Sequence, residues 1–341
     1  MSIIDRDEHP FAPFLRIVAK GRTLGRALDR AEAADAMRLI LEDKVEPMQL
    51  GAFLLVLRYR EETPGELAGF VDAARAYVAA DASLPVPDLD WPSYADRHRQ
   101  QPWFVLAALL LAANGIKVLM HGIDGYHDGP GGGMAPTRPV LRALGIEPSA
   151  SLAEGARRMA DHGFAYVGTE QFLPAVEKMF HLRPVLGLRT LVNTYARAVN
   201  PLAARAQMQG VVHPPYRGLH RETAVLLGQS DAAIFKGGGG EAQRNPLKPC
   251  EIFAIRDGDA VDITFPAFLR DVSHDWRSES LEPERVAALW RGELTDPAPE
   301  AAVVATAALG LWLTGRAGSA AEADEMADTL WRDRPRERFA A

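Results

Sequence analysis

The sequence predicts an α/β protein in which a small helical subdomain precedes a larger, mostly parallel α/β domain. Two observations carry that prediction. Residues 1–80 hold apolar side chains at helical spacing and no strand pattern, whereas beyond the proline-rich segment Leu84–Pro92 short β-branched runs alternate with helical ones. Strands separated by helices imply right-handed crossovers and therefore a parallel sheet covered by helices. A chain of 341 residues accommodates about two domains, and 48% hydrophobic content is ample for a full core.

In order along the chain, Ala36, Met37, Leu39 and Ile40 form one short amphipathic segment, and Pro47 opens a second that runs through Phe53–Leu57. Thr63-Pro64-Gly65-Glu66 is a capping box with proline at the first helical position, followed by Leu67, Phe70, Val71, Ala74 and Val78 on one face. The segment around Met48–Leu57 carries more apolar side chains than one face uses, which predicts contact with another surface. Leu84–Pro92, with three prolines in nine residues, reads as a linker. After it come a helix at 103–113, a strand at 116–120, a helix at 137–144, a helix at 152–161 opened by Ser151 and Glu154, and strands at 164–167 and 188–192. Strands near 210–213 and 231–235 flank a helix at 218–228, and 251–256 with 260–265 forms a hairpin about Asp257-Gly258. The tail from Pro283 is alanine-rich and helical.

Several classes are excluded. One cysteine, Cys250, allows no intrachain disulfide and no cysteine zinc cluster, which fits a reducing cytoplasm. The opening residues lack a basic region followed by an apolar core, so no signal peptide is expected, and the longest apolar run, Trp103–Ala113, is too short to span a bilayer. A net charge of −7 argues against a protein that coats nucleic acid with its whole surface.

Within that acidic chain, residues 181–248 hold nine Lys/Arg against three acids. A local field for phosphates is the expectation. The segment ends in Lys236-Gly237-Gly238-Gly239-Gly240-Glu241-Ala242-Gln243-Arg244-Asn245-Pro246, directly after the strand-like run Asp231–Phe235. Glycines there can take positive φ and turn backbone N–H groups toward an anion, with Lys236 and Arg244 adding charge at either end. The spacing is neither that of a P-loop nor that of the dinucleotide fingerprint. A second glycine-bearing strand end, His121-Gly122, falls at the same edge, where ligands of parallel sheets bind. The candidate phosphate-binding residues are therefore Lys236, Gly237, Gly238, Gly239, Gly240, Arg244, Asn245, Arg183, Arg189, Arg197, Arg205, Arg217, Arg221, His121 and Gly122. Trp91, Tyr94, Tyr195 and Tyr216 are the candidate stacking rings. No catalytic residue and no metal ligand is assigned, although Glu241, Asp231 and Asp128 are the acids that an enzyme reading offers to a cation.

The order Ile116–Gly122, Gly163–Val167, Leu182-Arg-Pro-Val-Leu-Gly-Leu-Arg-Thr190, Asn200-Pro201 and Ala307–Arg316 resembles the anthranilate phosphoribosyltransferase family (glycosyltransferase family 3) over nearly the whole chain. The resemblance implies the nucleoside phosphorylase/phosphoribosyltransferase-like fold. It divides the chain into a helical dimerisation subdomain over 1–82, joined by a helical segment at about 170–186, and an α/β domain over 93–169 and 187–341. It also implies a homodimer with its site in the interdomain cleft, and it aligns Arg183 with the family's arginine near the anthranilate carboxylate. Departures are specific. The family's Gly-Thr-Gly-Gly-Asp pyrophosphate loop is replaced by Asp90-Trp-Pro-Ser-Tyr-Ala-Asp-Arg-His-Arg99, Lys-His-Gly-Asn survives only as Met120-His121-Gly122-Ile123, and the magnesium-holding Asp-Glu pair falls on Gly240-Glu241. These losses, with the Lys236–Pro246 pattern, resemble the YbiB-like branch, which implies a nucleic-acid-binding protein.

Three functions stand at this point. One is a cytoplasmic homodimer that binds single-stranded DNA or RNA with little sequence preference, needing no cofactor and no membrane. Another is an active phosphoribosyltransferase, anthranilate phosphoribosyltransferase-like, with an altered donor loop, using phosphoribosyl pyrophosphate and magnesium held in part by Glu241. The last is a ligand-free scaffold.

Overall fold

The computed structural model describes residues 8–21, 23–78, 81–95, 100–123 and 137–339. In chain order the elements are α1 Ala12–Ala19, α2 Arg30–Leu41, α3 Pro47–Arg60, α4 Pro64–Val78, β1 Leu89–Ser93, α5 Phe104–Ala113, β2 Val118–Gly122, α6 Thr137–Ala143, α7 Leu152–His162 and β3 Phe164–Gly168. They continue with α8 Pro174–Phe180, α9 Arg183–Leu186, α10 Val192–Tyr195, β4 Ala206–Val211, α11 Tyr216–Leu226, β5 Asp231–Lys236, β6 Cys250–Arg256, β7 Asp259–Phe265, α12 Pro283–Arg291, α13 Pro297–Leu313 and α14 Ala320–Arg332. The chain divides into two compact units, Met1–Ala79 with Leu173–Val199, and Ala80–Phe172 with Asn200–Ala341.

The first unit is helical. Its helices start where the sequence supplies caps: Asp29 accepts the Glu32 N–H at 2.8 Å while Glu32 accepts the Asp29 N–H at 2.9 Å, and Thr63 and Glu66 make the same reciprocal pair at 3.2 and 2.9 Å. A chain of edge-on aromatic contacts, Phe11 to Phe53, Phe53 to Phe70 and Phe70 to Tyr195, runs through its core. The surplus apolar surface expected on the second segment is visible: α3 buries Phe53, Leu54 and Leu57 yet leaves Met48 86% exposed and Tyr59 78% exposed.

The second unit is built on a seven-stranded sheet of order β3-β2-β1-β4-β5-β6-β7, parallel from β3 through β5 and antiparallel beyond. Leu89, Trp91, Val118, Met120, Met208 and Phe235 alternate onto one face and pack with α5 and α13 in the main core. The expected hairpin closes at Asp257 (φ 50°) and Gly258 (φ 89°), whose positive φ values suit a tight two-residue turn. No helix among the described residues is long and apolar enough to cross a membrane.

Two readings are corrected. The supposed linker ends in a central strand, β1, because its Pro92 lies past the point where β1 stops pairing with β4: that ladder holds only Leu89 and Asp90, so the missing proline donor costs nothing there. The strand expected at 188–192 is instead the turn between α9 and α10 in the first unit, bracketed by left-handed Gly187.

Candidate functional site

From β1 the chain winds outward through β2 to β3, then returns to place β4 on the opposite side of β1. The sheet's switch point is therefore the crevice at the carboxyl ends of β1 and β4, the usual ligand position in open parallel sheets. Because β1 and β4 part after Asp90, the crevice opens beside Pro92, Ser93 and Tyr94.

The loop after β5 crosses this crevice. The Glu241 backbone lies against Gly210 of β4 and Gly237 so closely that a Cβ on either glycine would overlap it. The Glu241 carboxylate then reaches β1, where Oε1 accepts the Ala95 N–H at 2.7 Å. Gly239 and Gly240 take φ values of 64° and 94°, which close the turn. Four of the loop amides expected to cradle an anion bond within the protein instead: Gly237 donates to Val211 O, Gly238 to Gln243 O, Gly240 to Gly237 O and Glu241 to Gly238 O, at 2.8–3.2 Å. The glycines serve close approach and turning.

Behind the crevice, on the sheet face away from the main core, the strands carry buried polar side chains. Thr169 Oγ1 lies 3.1 Å from Tyr94 Oη, Tyr94 Oη 2.8 Å from His121 Nδ1, and His121 Nε2 3.1 Å from Asp90 Oδ1. From the other side Gln207 donates to Asp90 Oδ2 at 2.8 Å, Gln209 donates to Gln207, and His220 Nδ1 meets Gln209 Oε1 at 2.6 Å. Every member is at most 2% exposed. An imidazole protonated on Nε2 turns its N–H to the Asp90 side, so both arms meet at one carboxylate, although His121 Nε2 and Asp90 Oδ1 are in contact without forming a hydrogen bond. Asp90, Thr169, Gln207, Gln209 and His220 were missed in the sequence, and His121 and Tyr94 were given other roles, although Gln207 and Gln209 carry the two-residue period of a strand face.

The structure scatters the candidate phosphate ligands. Lys236 is exposed at the end of β5, at the crevice edge. Gly122 packs on the Ser93 carbonyl, and His121 is buried in the polar chain. Arg244 is the clearest correction: its guanidinium is fully buried on the Phe265 ring, donates to Ala305 O at 2.7 Å and Pro266 O at 3.1 Å, and pairs with Asp324 at 3.2 Å. Burial lowers its proton affinity, and burial likewise raises that of Asp324 despite the facing arginine. Asn245 accepts the Leu247 N–H as a turn residue. Arg217 and Arg221 both stack on Phe253 and pair with Glu251 and Asp262. Arg205 lies at the opposite, amino edge of the sheet, bound to Asp231 and Asp257. Arg183, Arg189 and Arg197 belong to the first unit, where Arg197 is buried on the Asn193 carbonyl. Of the candidate stacking rings, Trp91, Tyr94 and Tyr195 are fully buried. The arginine-rich segment 181–248 is thus no continuous basic surface.

A magnesium pair is not found in the family's manner. Among the described residues no three His, Cys, Asp or Glu come together to hold a metal, Glu241 already accepts the Ala95 N–H, and Asp231 sits at the far edge. Asp128 lies outside the described residues.

Two family models match the chain, the glycosyl transferase family helical bundle domain over residues 13–78 and the glycosyl transferase family a/b domain over 105–333. Anthranilate phosphoribosyltransferase of Methylocella silvestris is 30% identical over 243 residues, 70% of this chain and 68% of that protein. The Gluconobacter oxydans enzyme of the same name is 33% identical over 59% of this chain, a match that spans about half of it (53%). The uncharacterized protein YbiB of Escherichia coli is 26% identical, covering 73% of this chain and 77% of that one. The anthranilate phosphoribosyltransferase of Thermus thermophilus shares the fold, with a TM-score of 0.75 at 24% identity, over 96% of this chain and 98% of that one. The relatives bear the name of a phosphoribosyltransferase, and with the arginines dispersed and paired this overturns the expectation of a single-stranded nucleic acid as partner. The chain belongs to the glycosyl transferase family of the anthranilate phosphoribosyltransferases, a family that includes a YbiB-like branch.

Proposed function

We propose that the chain is a phosphoribosyltransferase, anthranilate phosphoribosyltransferase-like, with an altered donor-binding loop. The observation that carries the reading is the 30% identity to the Methylocella enzyme over 70% of the chain. The switch-point crevice supports it as the place where a phosphorylated donor meets an acceptor. Lys236 stands exposed at that edge, and in the sequence Ala95 leads straight into Asp96-Arg97-His98-Arg99. Cations in place of a glycine cradle hold phosphate oxygens through charge-assisted bonds. Glu241 fixes the start of that segment through the Ala95 N–H, and the Asp90-centred chain fixes the strand ends beneath. Magnesium, when bound to a pyrophosphate, neutralises the leaving group; the carboxylates described here do not fit the family's pair, and no step is assigned to it.

The test is turnover of phosphoribosyl pyrophosphate with anthranilate, followed by product fluorescence, beside calorimetric titration of the donor. Donor binding with product formation, both weakened about tenfold or more by Lys236→Ala, is expected. Neither product nor donor heat from the parent protein would overturn the proposal.

The first unit is further proposed as a homodimer interface. Met48, Tyr59 and Val185, each at least 78% exposed, are the large apolar side chains that support this. Sedimentation as a monomer at micromolar concentration would refute it, and Met48→Glu with Tyr59→Glu is expected to dissociate the dimer. The single cysteine supports a reducing, cytoplasmic setting.

A further inference from the structure

We propose a second ligand site at the amino edge of the sheet in the larger unit, shaped for a small organic monoanion: a carboxylate on an apolar body. A cavity of about 630 Å³ lies there, between the starts of β1, β4 and β5 and the end of α13. That volume falls within the range of small-molecule pockets. It stands at the other end of the strands from Lys236, roughly 20 Å away along six residues of β5, so it is separate from the proposed transferase crevice.

The charge on its walls selects the ligand. Arg205, Arg256 and Arg316 face Asp88 and Asp231, and Arg205 is matched also by Asp257. Both acids are occupied. Asp231 pairs with Arg205 at 2.8 Å and Arg256 at 3.3 Å and accepts the Asp257 N–H, while Asp88 accepts the Lys117 N–H at 2.8 Å. Arg316 is exposed and has no carboxylate partner among the described residues. A monoanion pairs with Arg316 one charge for one, whereas a dianionic phosphate would leave an excess negative charge. Ile116 and Leu313, each 1% exposed, floor the cavity with apolar surface for the body of the ligand.

The site is also held in shape before any ligand arrives. The Arg256 guanidinium lies 4.7 Å over the Trp312 ring and donates to the Trp312 carbonyl, which fixes its plane. Gln229 donates to the Ala204 and Arg205 carbonyls at 3.0 and 2.7 Å, tying the start of β4 to that of β5. Asn200, of the Asn200-Pro201 motif, bonds both backbone groups of Ala204 at 2.8 Å. Asn200 and Ala203 sit at φ 45° and 52°, and side chains held in that region against their preference cluster at ligand sites. A preorganised wall lowers the cost of binding.

Calorimetric titration of the full chain with sodium benzoate, benzyl alcohol and inorganic phosphate tests the proposal. Saturable benzoate binding is expected, with none for the neutral alcohol. Arg316→Ala, an exposed substitution that keeps the parent's melting temperature, should weaken benzoate about tenfold. Lys236→Ala, at the opposite edge, should leave it as in the parent. Absence of saturable benzoate binding, equal affinity in Arg316→Ala, or phosphate binding as tightly as benzoate would overturn it.

Discussion

Replacing Asp90 separates two explanations of the buried polar face, a directional chain ending on one anion and a set of interchangeable polar contacts. In the first, Asp90 accepts from Gln207 Nε2 through one oxygen and turns the other to His121 Nε2, 3.1 Å away, with both partners buried. Asp90→Leu leaves the Gln207 donor without an acceptor and removes the carboxylate facing His121 Nε2, and at ~1–3 kcal/mol for an unsatisfied buried group the cost is about 1–3 kcal/mol. Asp90→Asn differs in kind. Its Oδ1 still accepts from Gln207, but its Nδ2 now points a donor at His121, and the imidazole must move its proton to Nδ1. Tyr94 then accepts from His121 and turns its own hydroxyl hydrogen toward Thr169, so every pair survives with one arm reversed. The cost should be about 1 kcal/mol, the difference between charged and neutral acceptors. Urea unfolding gives the energies, and nitrogen-15 shifts of the His121 ring give the tautomer. An unchanged tautomer in Asp90→Asn, or an Asp90→Leu protein within about 1 kcal/mol of the parent, refutes the directional chain.

Arg244→Ala should cost about 3–5 kcal/mol in urea unfolding, because it strips the buried partner from Asp324 and two carbonyls; a loss under about 0.5 kcal/mol would restore Arg244 as a surface ligand. Lys236→Ala, exposed, should stay within ~0.5 kcal/mol of the parent on the same assay. Gly210→Ala places a methyl group in the Glu241 backbone and should destabilise by about 1–3 kcal/mol, detectable as a lowered melting temperature. Both carboxylate oxygens of Glu62 are buried without a hydrogen-bond partner, and burial raises its proton affinity. The folded state therefore holds that proton more tightly than the unfolded chain, so the stabilisation is full below about pH 4 and lost as pH rises through the raised value. Glu62→Gln should stabilise the protein at neutral pH and not below that window; a pH-independent effect counts against the assignment.

The helical subdomain and the parallel sheet were legible because caps and periodicity are local: Thr63 with Glu66 and Ser151 with Glu154 act within one turn. Strand β1 was not, since Asp90, Pro92 and Ser93 look like loop residues until one knows that Gln207 will hydrogen-bond Asp90, that His121 will lie against it, and that β4 departs before Pro92. Charge misled for a related reason. A run of arginines says nothing of which face each will occupy, and partners from sites as remote as Asp262, Asp324 and Asp257 met them one by one.

The glycine run shows how one sequence signal admits two physical causes. Glycine permits a nest of free N–H groups, and it equally permits two backbones to touch. Here the register decides: β4 and β5 pair Gly210 with Phe235, one residue short of the turn, so the chain leaving β5 must pass directly over Gly210 to reach β1. Only glycine at 210 and 237 leaves room for the Glu241 carbonyl on that path. The passage delivers the Glu241 side chain to Ala95 and sets where the segment after β1 begins. In the proposed transferase the loop therefore acts by positioning the Ala95 segment, and the charge offered to phosphate is that of side chains such as Lys236.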